Sequence, residues 1–135
     1  MELIPGNSEL SVGVKILDCD HREMTEAIYE IQAAVTADRD PRRTESLLRK
    51  LAQFSLTHFA LEEGMMAATR FPGLAPHRLN HQRMIERMKT FVSRQEGNGL
   101  TLDRNSLHLL AEIHAAHVEQ DDLRYGLWLN AVGKR

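Results

Sequence analysis

Residues 41–70 read PRRTESLLRKLAQFSLTHFALEEGMMAATR, and the fold turns on this stretch. Leu47, Leu51, Phe54, His58, Glu62 and Met65 recur at steps of four and three. That is the spacing of a helix burying one stripe in a bundle. Pro41 suits the first helical position, where its missing N–H is not needed, and Asp40 suits the cap before it. Phe71-Pro72-Gly73 stops the pattern. The anomaly is that His58 and Glu62, one turn apart, stand on the stripe that should be apolar. A buried imidazole or carboxylate is costly unless it is bonded or coordinated.

The same step appears on both sides. Leu17, His21, Met24, Ile28, Ile31 and Val35 predict a first helix over residues 18–37, with Asp18 and Asp20 in its N-terminal turn. A third helix is predicted from Pro76, carrying His77, His81, Met84, Met88 and Phe91, and residues 96–99 end it. Thr101 or Asp103 caps a fourth, which carries Leu107, Leu110, Ile113 or His114, and His117, and extends toward Leu129. Residues 1–17, with Pro5, Gly6 and Gly13, show no sustained period and read as an extended arm. The expected fold is all-α. A single domain spans residues 1–135, with an N-terminal arm over 1–17 and an up-down-up-down four-helix bundle over 18–130.

Composition agrees and narrows the function classes. The chain is 42% hydrophobic and 27% charged, enough apolar surface for a core, unlike a disordered chain. Seventeen Lys and Arg stand against nineteen Asp and Glu, a net charge of −2, which argues against a nucleic-acid partner. No apolar run approaches a membrane span of roughly 18 residues. The first residues lack the basic and apolar regions of a secretory leader, so a cytoplasmic location is expected. The single cysteine, Cys19, excludes an internal disulfide and a Cys-rich zinc site.

Seven His occur, and five of them, His21, His58, His77, His81 and His117, fall on seam positions. His77 and His81 repeat the i,i+4 arrangement of His58 and Glu62. Asp122 follows His117 by five residues, a turn of about 140° on a regular helix. Either its side chain reaches around, or the helix carries a π-bulge there. Five imidazoles and two carboxylates from four helices are more than one zinc needs. They suit two borderline-hard ions, iron or manganese, bridged by carboxylates.

The segments GVKILDCDH (13–21), HFALEE (58–63), HRLNH (77–81) and HVEQDDLRY (117–125) resemble, in order, the motifs of the hemerythrin family. Within it, the chain is most similar to the single-domain bacterial members. The resemblance implies a non-haem centre of two Fe ions with an oxo or hydroxo bridge. His77, His81 and His117 would hold one iron, His21 and His58 the other, and Glu62 and Asp122 would bridge both. It implies reversible O₂ binding at the iron with the open position, for storage, delivery or sensing, and no enzymatic activity. The alternatives on the same scaffold are a di-iron oxidase or peroxidase, a nitric oxide-handling enzyme, or a redox- or O₂-sensing module acting through a partner. O₂ is the expected ligand, with NO or another small anion as a substitute. The chain departs from the usual pattern at Asp20, where Gln is common, at Ile113 in place of Trp, and at Met84 in place of Phe.

By position, Phe54, Phe59, Leu61 and Met65 are candidates for a dry wall beside the centre. Asp20 should point away from the seam, and Cys19 should lie outside the site. The Met residues read as core filler. His108 and His114 have no family counterpart and are expected at surface or partly buried positions. Tyr125 is expected either near Asp122 or packed at the bundle end.

Overall fold

The computed structural model describes residues 11–35, 41–97 and 104–133, of which all but a few termini and turns are helical. The helices are α1 (Lys15–Ala33), α2 (Pro41–Thr69), α3 (Leu74–Gly97), α4 (Arg104–Ala116) and α5 (Leu123–Ala131). A π-helical turn over His117–Asp122 joins α4 to α5, making one continuous rod. The expected caps Asp40, Thr101 and Asp103, and most of the arm, lie outside the described residues.

Helix boundaries differ from expectation in explicable ways. α1 starts at Lys15 rather than at residue 18, after Val14 in extended conformation. Asp18 is used differently from a cap. Its Oδ1 accepts the Val12 N–H at 2.8 Å and its Oδ2 the Ser11 hydroxyl at 2.8 Å, fastening the arm to α1. α3 starts at Leu74, so Pro76 sits inside the first turn, where no intrahelical N–H is required. α2 ends at Arg70, which takes the left-handed conformation (φ 60°). The Phe71 N–H then bonds Met66 O at 2.9 Å and the Arg70 N–H bonds Ala67 O at 3.2 Å, a Schellman motif without its usual glycine.

α1 packs on α2 and on α4, and α2 packs on α3. Two apolar clusters form the core. One gathers Met24, Ile28, Leu48, Leu51, Phe59, Met88, Phe91 and Leu110 among others. The second gathers Val12, Val14, Leu17, Met66, Phe71, Val118, Tyr125 and Leu129. α1 runs from the second cluster to the first, α2 from the first to the second, α3 back again, and the α4–α5 rod returns. This alternation is the up-down-up-down bundle. Each rod crosses between the clusters through a layer of buried polar side chains.

The arm contributes to the second cluster through Val12 and Val14, both buried. It lies so close to α5 that a Cβ at Gly126 would overlap the Val12 carbonyl oxygen. Tyr125 packs at this end, between Phe71 and Trp128, with ring centroids 4.9 and 6.2 Å away. Its hydroxyl lies 3.1 Å from Thr69 Oγ1, and Thr69 already donates to Met65 O, so Tyr125 is the donor. On α2 the buried face runs through Thr44, Leu48 and Leu51, and Leu47 is only half-buried. Leu61 is exposed and cannot line an interior wall. None of the described helices is long and apolar enough to cross a membrane.

Candidate metal centre

All seven expected residues are buried in the polar layer: His21, His58, Glu62, His77, His81, His117 and Asp122. They sort into two groups. Glu62, His77, His81, His117 and Asp122 place one donor atom each within 4.8 Å of one another, and so do His21, His58, Glu62 and Asp122. The two carboxylates belong to both groups because each divides its oxygens between them. Glu62 Oε1 lies 2.6 Å from His77 Nε2 and 3.2 Å from His81 Nε2, while Oε2 lies 3.4 Å from His58 Nε2 and 3.9 Å from His21 Nε2. Asp122 Oδ1 lies 2.9 Å from His77 Nε2 and 3.0 Å from His117 Nε2, while Oδ2 lies 2.9 Å from His21 Nε2.

The π-helical turn brings Asp122 to this point. The Leu123 N–H bonds Val118 O, five residues back, so the extra residue is absorbed and His117 and Asp122 share a face. Of the two routes that the sequence leaves open for Asp122, the backbone takes the bulge.

The donors fit a pair of cations. His21 Nε2, His58 Nε2, Glu62 Oε2 and both Asp122 oxygens are buried without a properly angled hydrogen bond, although several lie within 3 to 4 Å of one another. Short contacts with poor hydrogen-bond angles are what lone pairs aimed at a common centre produce. Buried polar atoms that satisfy no protein partner call for an ion or another ligand. The set is nitrogen and carboxylate oxygen with no thiolate, which suits iron.

Three imidazoles are held from behind by carboxylates. The His58 Nδ1–H donates to Asp20 Oδ2 at 2.8 Å, that of His81 to Glu63 Oε2 at 2.8 Å, and that of His117 to Asp121 Oδ2 at 2.9 Å. Such partners fix the tautomer, so that Nε2 faces the centre as a lone pair, and raise its basicity. Asp20 therefore does not point away, as its position one residue from His21 suggested. It reaches across to α2. Glu63 is itself held by Arg78 Nε at 2.9 Å, and Asp121 by Asn80 Nδ2 at 3.1 Å. These partners have a faint signature in the doubled acids Glu62-Glu63 and Asp121-Asp122, the latter placing Asp121 one turn beyond His117.

Protonation without metal follows from this crowding. Burial alone would lower His77, but hydrogen bonds to Asp122 and Glu62 outweigh it and push it up to about 9. His58 and His117 are raised in the same way, against burial, by Glu62 and Asp20 and by Asp122 respectively. Burial and the neighbouring Asp122 charge would raise Glu62, yet bonds from His58, His77 and His81 bring it down to about 2. Burial would also raise Asp122, but the close approach of the His117, His21 and His77 rings, all within about 3 Å, holds it well below the usual carboxylate range. The centre is thus a nest of imidazolium–carboxylate pairs that cations can replace.

Around it, Phe59 stacks on the His81 ring with centroids 4.0 Å apart and closes the layer on the side of the first apolar cluster. Phe54 and Met65 are half-buried, one against each cluster, and Cys19 is exposed. His114 departs from expectation. It is fully enclosed, 3% exposed, with its ring centroid 6.5 Å from that of His21. Burial, with the nearby charge of His21, lowers it to about 3, so it is neutral. It follows Leu110 and precedes His117 on the inward stripe of α4, which placed it inside.

The family model of the hemerythrin HHE cation binding domain matches residues 12–128. The bacteriohemerythrin of Stenotrophomonas maltophilia is 25% identical over 126 residues, 93% of this chain and 80% of that protein. The myohemerythrin of Sipunculus nudus is 23% identical over 119 residues, 88% of each chain. The bacteriohemerythrin of Pseudomonas aeruginosa is 24% identical over 117 residues, 87% of this chain and 75% of that protein. No solved structure matches. A match running from the arm to Trp128, on a bundle whose buried His, Glu and Asp gather into two groups, leaves one conclusion: the chain belongs to the hemerythrin HHE cation binding domain family.

Proposed function

We propose that this protein is a non-haem di-iron protein that binds O₂ reversibly, for storage, delivery or sensing, rather than an enzyme. The observation that carries this reading is the unequal sharing of donors: two carboxylates, each split between a group of three imidazoles and a group of two. In the proposed assignment His77, His81 and His117 would hold one iron and His21 and His58 the other, with Glu62 and Asp122 shared between them. The ion facing two imidazoles would have fewer protein donors than its neighbour, and so room for a small ligand. When bound, the irons supply the electrons by which O₂ is taken up and returned.

The chain's own groups do the rest. Asp20, Glu63 and Asp121 hold three imidazoles in the tautomer that leaves Nε2 bare. Phe59 keeps bulk water from the His81 side. The two apolar clusters above and below the layer hold the four rods at a fixed separation, so the donors are organised before metal arrives.

Reconstitution without air tests the reading. Two irons per chain are expected, with a visible band that grows on aeration and fades when O₂ is removed. A centre that bleaches irreversibly on first contact with air, or never develops the band, would overturn reversible O₂ binding while leaving the metal assignment to be judged by the iron count.

A further inference from the structure

Among the described residues, two buried side-chain polar atoms outside the seven-residue set also have no protein partner: Ser55 Oγ and His114 Nδ1. Ser55 is 1% exposed and His114 3%. They stand on different rods, Ser55 one turn before Phe59 on α2 and His114 one turn before Val118 on α4. A buried polar group left without a partner costs about 1–3 kcal/mol, so two beside each other call for an occupant.

The neighbours of His114 fix what it offers. Thr25 Oγ1 donates its one hydrogen to the His21 carbonyl at 2.9 Å. Toward His114 Nε2, 3.2 Å away, that hydroxyl has only a lone pair left. Nε2 must therefore carry the ring proton. In a neutral imidazole the other nitrogen is then a bare acceptor. His114 Nδ1 is a fixed lone pair with nothing to receive, and Ser55 brings a hydroxyl that can donate or accept.

Both residues line one small cavity, whose remaining wall is mostly apolar and includes Met24, Ile28, Phe59 and Leu110, with the exposed Arg87 also contributing to it. Its volume is about 20 Å³. A cavity needs roughly 10–15 Å³ on this measure to hold one water. Phe59 and His114 are shared walls: Phe59 also stacks on His81, and the His114 ring also faces that of His21. The cavity thus backs directly onto the polar layer.

We propose that this cavity is a built subsite for a single water-sized hydroxylic molecule, water itself in the resting protein, which donates one hydrogen to His114 Nδ1 and shares a second hydrogen bond with Ser55 Oγ. An all-hydrocarbon cavity of similar size would stay dry. Here the paired acceptor and hydroxyl select a molecule bearing O–H groups. Under the function proposed above, the wall behind His21 and His81 is polar at one point rather than dry throughout. The occupancy itself does not depend on that function.

The test uses the full chain stripped of metal, so that its outcome is separate from iron content and O₂ binding. A high-resolution crystal structure should show a density peak within about 2.6–3.2 Å of both Ser55 Oγ and His114 Nδ1. The Ser55→Ala, His114→Leu double variant should lose that peak. Nitrogen NMR of the wild-type protein should report the Nε2–H tautomer for His114, which needs no variant to fold. A wild-type cavity without a peak, a peak that persists in the double variant, or the Nδ1–H tautomer would each overturn the proposal.

Discussion

Loading the centre should expel protons, in a number set by the buried pairs. Without metal, His77 is pushed up to about 9 and is an imidazolium at pH 7. His58 and His117 are also raised above their ordinary value. A metal ion accepts only the neutral imidazole, so each protonated ring must first lose its proton. Filling both positions at pH 7 should therefore release one proton from His77 and up to one each from His58 and His117. That is about one to three per chain from the rings, to which ionisation of the bridging solvent adds its own. Glu62 and Asp122 add none, since both are ionised at this pH. Each released proton makes the apparent affinity rise about tenfold per pH unit, so from pH 6 to pH 8 the combined affinity for two ions should grow by roughly 10² to 10⁶. The assay is air-free titration calorimetry with Fe²⁺ in two buffers of different ionisation heat, whose difference reads the proton count. The count should fall as pH passes 9, where His77 has already lost its proton. A heat that does not depend on the buffer at pH 7 would show the rings to be neutral in the metal-free fold and would refute the reasoning.

Stability of the metal-free protein should follow the same groups. The contribution of His77, whose folded-state value is raised, is complete below about pH 6.5 and disappears as pH rises through about 9, a loss of roughly 3 kcal/mol. That of Glu62, whose value is lowered, is complete above about pH 4.5 and disappears as pH falls toward 2. Below pH 6.5 the buried His114, lowered to about 3, opposes folding increasingly as its unfolded counterpart takes up a proton. Urea midpoints should therefore decline on both sides of about pH 6.5; a midpoint unchanged up to pH 9 would contradict the His77 assignment. Asp20→Asn keeps the shape of the side chain but removes the carboxylate behind His58, and should weaken metal binding by roughly 10- to 100-fold with little change in melting temperature. Equal affinity in competition with a chelator would show that Asp20 is a bystander. Gly126→Ala should force the arm off α5 at a cost of about 1–3 kcal/mol, read by thermal denaturation, because its Cβ would overlap the Val12 carbonyl.

The bundle was legible because its information is local. Steps of four and three specify a helical stripe whatever surrounds it, and Pro41 and Phe71-Pro72-Gly73 mark ends through their own backbone chemistry. Misplaced boundaries had non-local or strained causes. α1 reaches back to Lys15 because Asp18 ties the arm down, and α2 stops at a left-handed Arg70, a conformation that no residue preference announces. Leu61 is expected at the wall from its position beside Glu62, but it lies just off the stripe and is exposed, since one residue along a helix is a turn of about 100°.

The candidate site divides along the same line. Read alone, the sequence determined that five His and Glu62 stand on the inner faces of four rods, because helical periodicity assigns a face to each residue and buried polar groups need a partner. Tertiary structure decided how those faces meet. It divided the oxygens of Glu62 and Asp122 between a group of three imidazoles and a group of two. It turned Asp122 inward through a π-helical turn, and it set Asp20 of α1 behind His58 of α2. It also enclosed His114 and Ser55 around one small cavity. Each of these depends on the separation and rotation of rods far apart in the chain, and periodicity along one rod carries no record of the phase of its neighbour.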